Sequence, residues 1–172
     1  IRSRCPKLAR RVPGFFYNWL SRILHLREVN EIIMSHGHLK GAPFVGKFIE
    51  SLNIRYEIVG EDFSPAKGER LMFVSNHPLG GLDGTIILKV LNEKFGTTRT
   101  LANDFLMAVS PLKDWFVPIN KVGSQVRHSA KLVEEMYESE THILIFPAGL
   151  CSRKIKGKVM DLTWQKHFIQ RA

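Results

Sequence analysis

Two cysteines, Cys5 and Cys151, are too few and too far apart for a disulfide framework, and neither belongs to a spacing that holds a metal. Without disulfides the default setting is a reducing compartment. Long apolar runs are also missing: no stretch approaches the roughly 18 uninterrupted apolar residues that a spanning helix requires. The first residues lack the charge, apolar core and small-residue cleavage site of a signal peptide. Contact with a membrane is therefore expected from its surface. Acid is scarce at both ends. Arg2, Arg4, Lys7, Arg10 and Arg11 face no carboxylate, and Arg153, Lys154, Lys156, Lys158, Lys166 and Arg171 face only Asp161. The stretch between is close to neutral, so the net charge of +9 belongs to the ends. Basic ends suit an anionic membrane or an acidic carrier, or serve as a solvated surface that keeps the chain soluble.

What is present, 44% hydrophobic and 24% charged residues in 172, suits one globular domain able to bury a core. The chain begins at Ile1 and stops at Ala172 within an apparent helix, so it reads as part of something longer. From Pro13 onward, Phe16, Trp19, Leu20, Ile23 and Leu24 recur at helical spacing. Their aromatic stripe beside the basic residues fits an interfacial membrane helix or, equally, core packing. Further helices are expected over Glu28 to Ser35 and Ala42 to Leu52. His36 and His38 in the intervening loop have no third partner for a metal.

After Asn53 the pattern changes to short apolar runs at Ile54 to Val59, Leu71 to Ser75, Thr98 to Ala102, Trp115 to Ile119 and His142 to Phe146. Helical stretches run between them, notably Gly84 to Phe95 and Ser124 to Ser139. This predicts an α/β fold: a mostly parallel mixed sheet flanked by helices, with an amphipathic helical N-terminal region. The division expected is residues 1–53 as the helical, possibly membrane-surface region and 54–172 as the catalytic domain. A ligand site is expected where loops leave the strand ends.

One such loop carries chemistry. In Asn76-His77-Pro78-Leu79-Gly80-Gly81-Leu82-Asp83-Gly84, His77 occupies the turn between a strand and a helix, and Gly80 and Gly81 let the backbone bend. Asp83 falls at or just before the helix start, where a carboxylate is favoured. Folding back, it can accept a hydrogen bond from one imidazole nitrogen and leave the other facing a pocket, which is the arrangement for general-base attack by a hydroxyl. A plain turn capped by an N-terminal aspartate is the simpler alternative, but such a turn does not require the histidine.

These residues resemble the first motif of the glycerolipid acyltransferases typified by 1-acylglycerol-3-phosphate acyltransferase: Asn-His, four residues, Asp. Here five residues intervene, as in a divergent bacterial branch with His-Pro-Leu-Gly-Gly-Leu-Asp-Gly. Pro118-Ile119-Asn120-Lys121 stands where the family's phosphate-binding second motif would end a strand, with Lys121 keeping the charge but not arginine's bidentate fork. Phe146-Pro147-Ala148-Gly149-Leu150-Cys151-Ser152-Arg153 parallels the third motif, Phe-Pro-Glu-Gly then Thr-Arg-Ser. A fourth motif would lie beyond residue 172.

The resemblance covers residues 54 to 160. It implies His77 as base and Asp83 as its partner, with Asn76, Gly80, Gly81, Lys121, Phe146, Pro147, Gly149, Ser152 and Arg153 binding substrate. Amides near Gly80 and Gly81 would steady the oxyanion, and no metal or organic cofactor is needed. Residues 103 to 113 would line the acyl channel or simply pack the core. Alanine at 148, where the family has glutamate, points away from the usual glycerol-phosphate acceptor. A lyso-lipid with an amino-acid head group is one candidate and lysophosphatidic acid another.

The expected reaction is therefore O-acyl transfer in membrane lipid synthesis, from acyl carrier protein or coenzyme A thioester to a lyso-lipid, at the cytoplasmic face of an anionic membrane. Two other classes of function compete with this one. Cys151 after a buried strand suggests a hydrolase, but no base is apparent nearby. The cluster Arg153-Lys154-Ile155-Lys156-Gly157-Lys158 suggests a basic binding module. Without interleaved aromatics it reads as a lipid-facing or phosphate-facing loop rather than a nucleic-acid surface.

Overall fold

The computed structural model describes residues 26–103, 106–119 and 126–171. The helix expected from Pro13 lies outside the described residues, as do Cys5, the basic N-terminal residues, Asp104, Phe105, Asn120 and Lys121. The chain divides into two units, residues 1–37 and 38–172. In the first, helix α1 spans Leu26–His36, slightly longer than the expected Glu28 to Ser35, with an Arg27–Glu31 pair one turn apart on its surface. No helix among the described residues is long and apolar enough to cross a membrane.

The second unit opens with α2, Ala42–Ser51, whose Phe44, Val45 and Ile49 are buried. Then follow β1 (Met72–Val74), α3 (Gly81–Phe95), β2 (Thr98–Ala102), two 3-10 turns (Leu106–Ala108 and Ser110–Trp115), β3 (Phe116–Pro118), α4 (Val126–Glu138) and β4 (His142–Ile145). A hairpin of β5 (Arg153–Ile155) and β6 (Lys158–Met160) and a 3-10 turn at Lys166–Gln170 complete it.

The main sheet has the order β1-β4-β2-β3, and all its pairings are parallel. Parallel neighbours need long crossovers, which α3 and α4 supply. Helices then cover the sheet, and an interior strand so covered can read as a continuous apolar run rather than an alternating one. β4 shows this: Ile143, Leu144 and Ile145 are all buried. By strand alternation Ile143 and Ile145 share one face, where they join Val117 and Met136 of α4 in a core cluster. Leu144 points to the other face, and α3 packs against β2. Because Leu144 is fully buried, Leu144→Ala should lower the unfolding free energy by about 2–5 kcal/mol. Urea denaturation measures this, and a loss below about 1 kcal/mol would contradict the close packing of that face.

One expected strand is absent. Ile54 to Val59 forms no ladder among the described residues; Ile58 is 70% and Val59 84% exposed. Its alternation of apolar and polar residues satisfies the strand pattern, but a strand also needs a partner edge, and β1 pairs only with β4. The sheet is likewise wholly parallel rather than mixed, the antiparallel pairing being confined to the separate β5–β6 hairpin. The carboxyl ends of β1 to β4 lie along one edge of the sheet, where the loops holding the candidate residues emerge.

Candidate active site

Two of those loops leave neighbouring strands, which is why residues seventy positions apart meet. The β1–β4 ladder continues one step beyond the strands, with the Ser75 amide donating to the Ile145 carbonyl at 3.0 Å. His77 and Phe146 follow at once. Their rings stack with centroids 4.1 Å apart and planes inclined by 27°. The other flank of the imidazole is the first turn of α3. A Cβ built on Gly84 would stand 3.4 Å from both His77 Cε1 and Phe146 Cζ. A methyl group just fits there and a branched side chain does not. Gly84→Val should therefore tilt the imidazole and cut turnover about 100-fold, as misplacements of this size do. Gly84→Ala should stay close to wild type, and equal losses in steady-state assays of the two variants would disprove this packing.

Helix α3 begins at Gly81, three residues before the expected start, so Asp83 lies inside the first turn rather than at the cap. Gly80 is the cap residue, with φ 68°, in the left-handed region that favours glycine. A Cβ there would also come within 3.1 Å of the Cys151 sulfur. The turn brings Asp83 under the histidine, with Nδ1 of His77 2.8 Å from Oδ1. The contact has ion-pair distance but is off the line of a well-formed hydrogen bond, an alignment that commonly tightens when substrate binds. Asp83 is itself held, Oδ2 accepting the Leu79 amide at 2.8 Å and Oδ1 the Gly84 amide at 2.6 Å. The side chains of His77 and Asp83 are 17% and 12% exposed. Nε2 of His77 has no hydrogen-bond partner among the described residues and can receive a proton.

The third-motif loop closes over the same turn. The Ser152 amide donates to the His77 carbonyl at 2.9 Å, and the Gly149 amide to the Phe146 carbonyl at 2.9 Å. Ser152 Oγ donates to Asp161, whose other oxygen accepts Trp164 Nε1 at 2.9 Å. The Ser152 hydroxyl foremost, then Trp164 and the nearby amide and imidazole of His77, hold the Asp161 carboxyl below its ordinary value against the opposing effect of burial. A carboxylate so depressed favours the folded state at neutral pH, and that contribution fades only as pH falls through its lowered value.

Asp161, Trp164 and the close approach of Gly84 were not legible as site features in the sequence. The signal that could have exposed Asp161 is Lys156-Gly157 between two short alternating stretches, which marks a hairpin and places residues 152 and 161 opposite each other.

The remaining candidates are placed unevenly. Pro147 accepts the Gln165 amide through its carbonyl at 3.0 Å, Asn76 accepts the Ser75 hydroxyl at 2.9 Å, and Arg153 is exposed at the start of β5. Lys121 lies outside the described residues. Of the possible acyl-channel residues, Leu106 approaches Gly81, at 3.7 Å from a Cβ built there. Cys151 is exposed beside Gly80, with no base hydrogen-bonded to it among the described residues. No group of three potential metal ligands occurs among the described residues. An open depression bordered by Asp62, Phe63, Lys94 and Phe95 lies at the far end of α3, about 20 Å along the helix from Asp83, and has no part in this chemistry.

Residues 1–172 match the sequence model of a family described as acyltransferase. The lyso-glycine lipid O-acyltransferase of Phocaeicola vulgatus is 38% identical over 173 residues, covering 100% of this chain and 62% of that protein. The protein of the same description from Bacteroides thetaiotaomicron is 38% identical over 170 residues, covering 98% of this chain and 62% of its own length. The chain thus spans less than two thirds of these curated relatives. No solved structure matches it.

Proposed function

The chain belongs to the acyltransferase family, and from that premise we propose that it transfers a fatty acyl group from a thioester to the hydroxyl of a lyso-lipid bearing an amino-acid head group. The observation that carries this reading is the His77–Asp83 pair at the carboxyl edge of a parallel sheet, with Nε2 available. Nε2 takes the proton of the acceptor hydroxyl as its oxygen attacks the thioester carbonyl. Asp83 stabilises the imidazolium that results. The tetrahedral intermediate collapses to the ester, and the leaving thiolate recovers the proton from Nε2. The amides of the cap residue Gly80 and of Gly81, the first residue of α3, are ones that a helix start leaves without carbonyl partners within the helix, and with the positive end of the helix dipole they supply donors for the developing oxyanion. The donor is a thioester of acyl carrier protein or coenzyme A.

The relatives' name, lyso-glycine lipid O-acyltransferase, supports a glycine-type acceptor, as does the lack of a carboxylate at Ala148. Such a head group ends in a carboxylate, for which Arg153, exposed beside the third motif, supplies a cation. A lipid tail suits a reaction at a membrane surface, and the excess of basic residues at the chain ends favours an anionic one.

The test is a competition between lyso-glycine lipid and lysophosphatidic acid, each supplied with both thioester donors. A kcat/KM at least about tenfold higher for the glycine acceptor, some 1.4 kcal/mol of discrimination, is expected. Equal or reversed preference would refute the acceptor, and no transfer to either would refute the activity. Mass spectrometry of lipids from cells lacking the protein gives a second reading, since the lyso-species that accumulates is the unused acceptor.

A further inference from the structure

The β5–β6 hairpin has no buried face. All six of its strand residues are exposed, and among the described residues its strands pair only with each other. Two-stranded hairpins without a covering surface are marginally stable in water. Its composition says what covers it. The register places Arg153 opposite Met160, Lys154 opposite Val159 and Ile155 opposite Lys158, so each rung joins one cation to one apolar residue. The tip, Lys156-Gly157, turns through two positive φ angles, 49° and 82°, as a tight hairpin turn requires, and adds another cation. No acid occurs from Arg153 to Met160. Ile155, Val159 and Met160 are 40%, 66% and 50% exposed, with Trp164 close behind at 44%. A fold partner would ask for one apolar face, and a purely electrostatic partner would not need the apolar half of every rung. Cations that reach outward beside apolar side chains match the boundary between lipid head groups and acyl chains.

The base of this hairpin is fixed to the reaction centre. Ser152 and Asp161, the residues flanking the two strands, are hydrogen-bonded to each other, and Ser152 also holds the His77 carbonyl. Leu79 and Leu150, exposed in the two loops that meet at Gly80 and Cys151, extend the apolar surface towards the histidine. We propose that the β5–β6 hairpin docks the catalytic edge onto an anionic lipid surface, with Ile155, Val159 and Met160 entering the head-group boundary and Lys154, Lys156 and Lys158 pairing with lipid phosphates. This deepens the reading above, because it rests on a lipid acceptor and states how the site reaches it.

The experiment compares the wild type with the triple variant Lys154→Gln/Lys156→Gln/Lys158→Gln and with Val159→Ser/Met160→Ser. Co-sedimentation is measured with phosphatidylcholine vesicles, with and without phosphatidylglycerol. Wild type should partition strongly to the anionic vesicles and be released by salt. The triple variant should lose about two orders of magnitude in partitioning. The apolar variant should lose about tenfold on the same vesicles. Both should keep wild-type unfolding midpoints and wild-type turnover of a short-chain lyso-lipid dissolved as monomer. Undiminished vesicle binding by the triple variant would overturn the proposal, as would wild-type binding indifferent to anionic lipid. Retained vesicle binding with a raised KM for acyl carrier protein alone would also overturn it and make the hairpin a carrier dock. Vesicle binding is read without turnover, so a failure of the acyl-transfer reading would appear only in the competition assay.

Discussion

His77→Ala should reduce kcat by about 10³-fold or more while leaving the thermal unfolding midpoint within a few degrees of wild type. Removal of a general base alone costs about 10²–10⁴-fold, and this imidazole has no neighbouring substitute. His142 begins β4, at the end of that strand away from Phe146, and its Nε2 is engaged with the Phe95 carbonyl at 2.8 Å. The loss should fall on kcat rather than KM, because Nε2 gains its proton only as the acceptor oxygen attacks. Stability should change little, because the ring's stacking on Phe146 and its contact with Asp83 are local and the backbone tie to Ser152 survives the substitution. Turnover within tenfold of wild type, measured with an acyl thioester and a lyso-lipid, would remove His77 from the mechanism.

Asp83→Asn should cost about 10³–10⁴-fold, nearly as much as losing the histidine. The substitution is isosteric, but it removes the charge that stabilises the imidazolium. It also lets an amide N–H face Nδ1, which moves the imidazole proton to Nε2, where a base must have none. Asp83→Ala should add a structural penalty that the asparagine avoids, because the Leu79 amide loses the acceptor that shapes the turn. The two variants thus separate charge from architecture. If asparagine supports wild-type rates and alanine does not, Asp83 serves the turn and has no part in the proton transfer.

The first motif was legible because its chemistry is local. Strand, turn and helix lie within a few residues, and His77, the two glycines and Asp83 leave few other uses for that order of side chains. The acyltransferase family implied by that motif and the two that follow it agrees with the match over residues 1–172. The parallel α/β architecture was legible from alternating apolar runs and helical stretches, and the structure bears it out.

What escaped the sequence is what only long-range contact decides. Whether Ile54 to Val59 pairs depends on the edge offered by β1, about which its own residues carry no information. The early start of α3 depends on Asp83 reaching back to Leu79, which overrides the poor helix propensity of Gly81 and Gly84. Asp161 and Trp164 join the site only because a hairpin returns the chain to Ser152. Phe146, expected among the substrate-binding residues, is found against the imidazole, a contact set by the β1–β4 ladder.

The strand order has a consequence in time. Among the described residues β4 is the last strand of the main sheet in chain order, yet it occupies an interior position between β1 and β2. Until it inserts, β1 has no neighbour, His77 has no Phe146 to stack on, and the Ser152 amide is far from the histidine carbonyl. Closing so long a loop is entropically costly and therefore slow, so this pairing belongs to a late step in folding. A chain still emerging from the ribosome can complete β2, α3 and β3 and still lack this stack and this tie. The contacts that hold His77 in the candidate site from the far loop, its stack on Phe146 and its tie to Ser152, are made by the same event that completes the sheet.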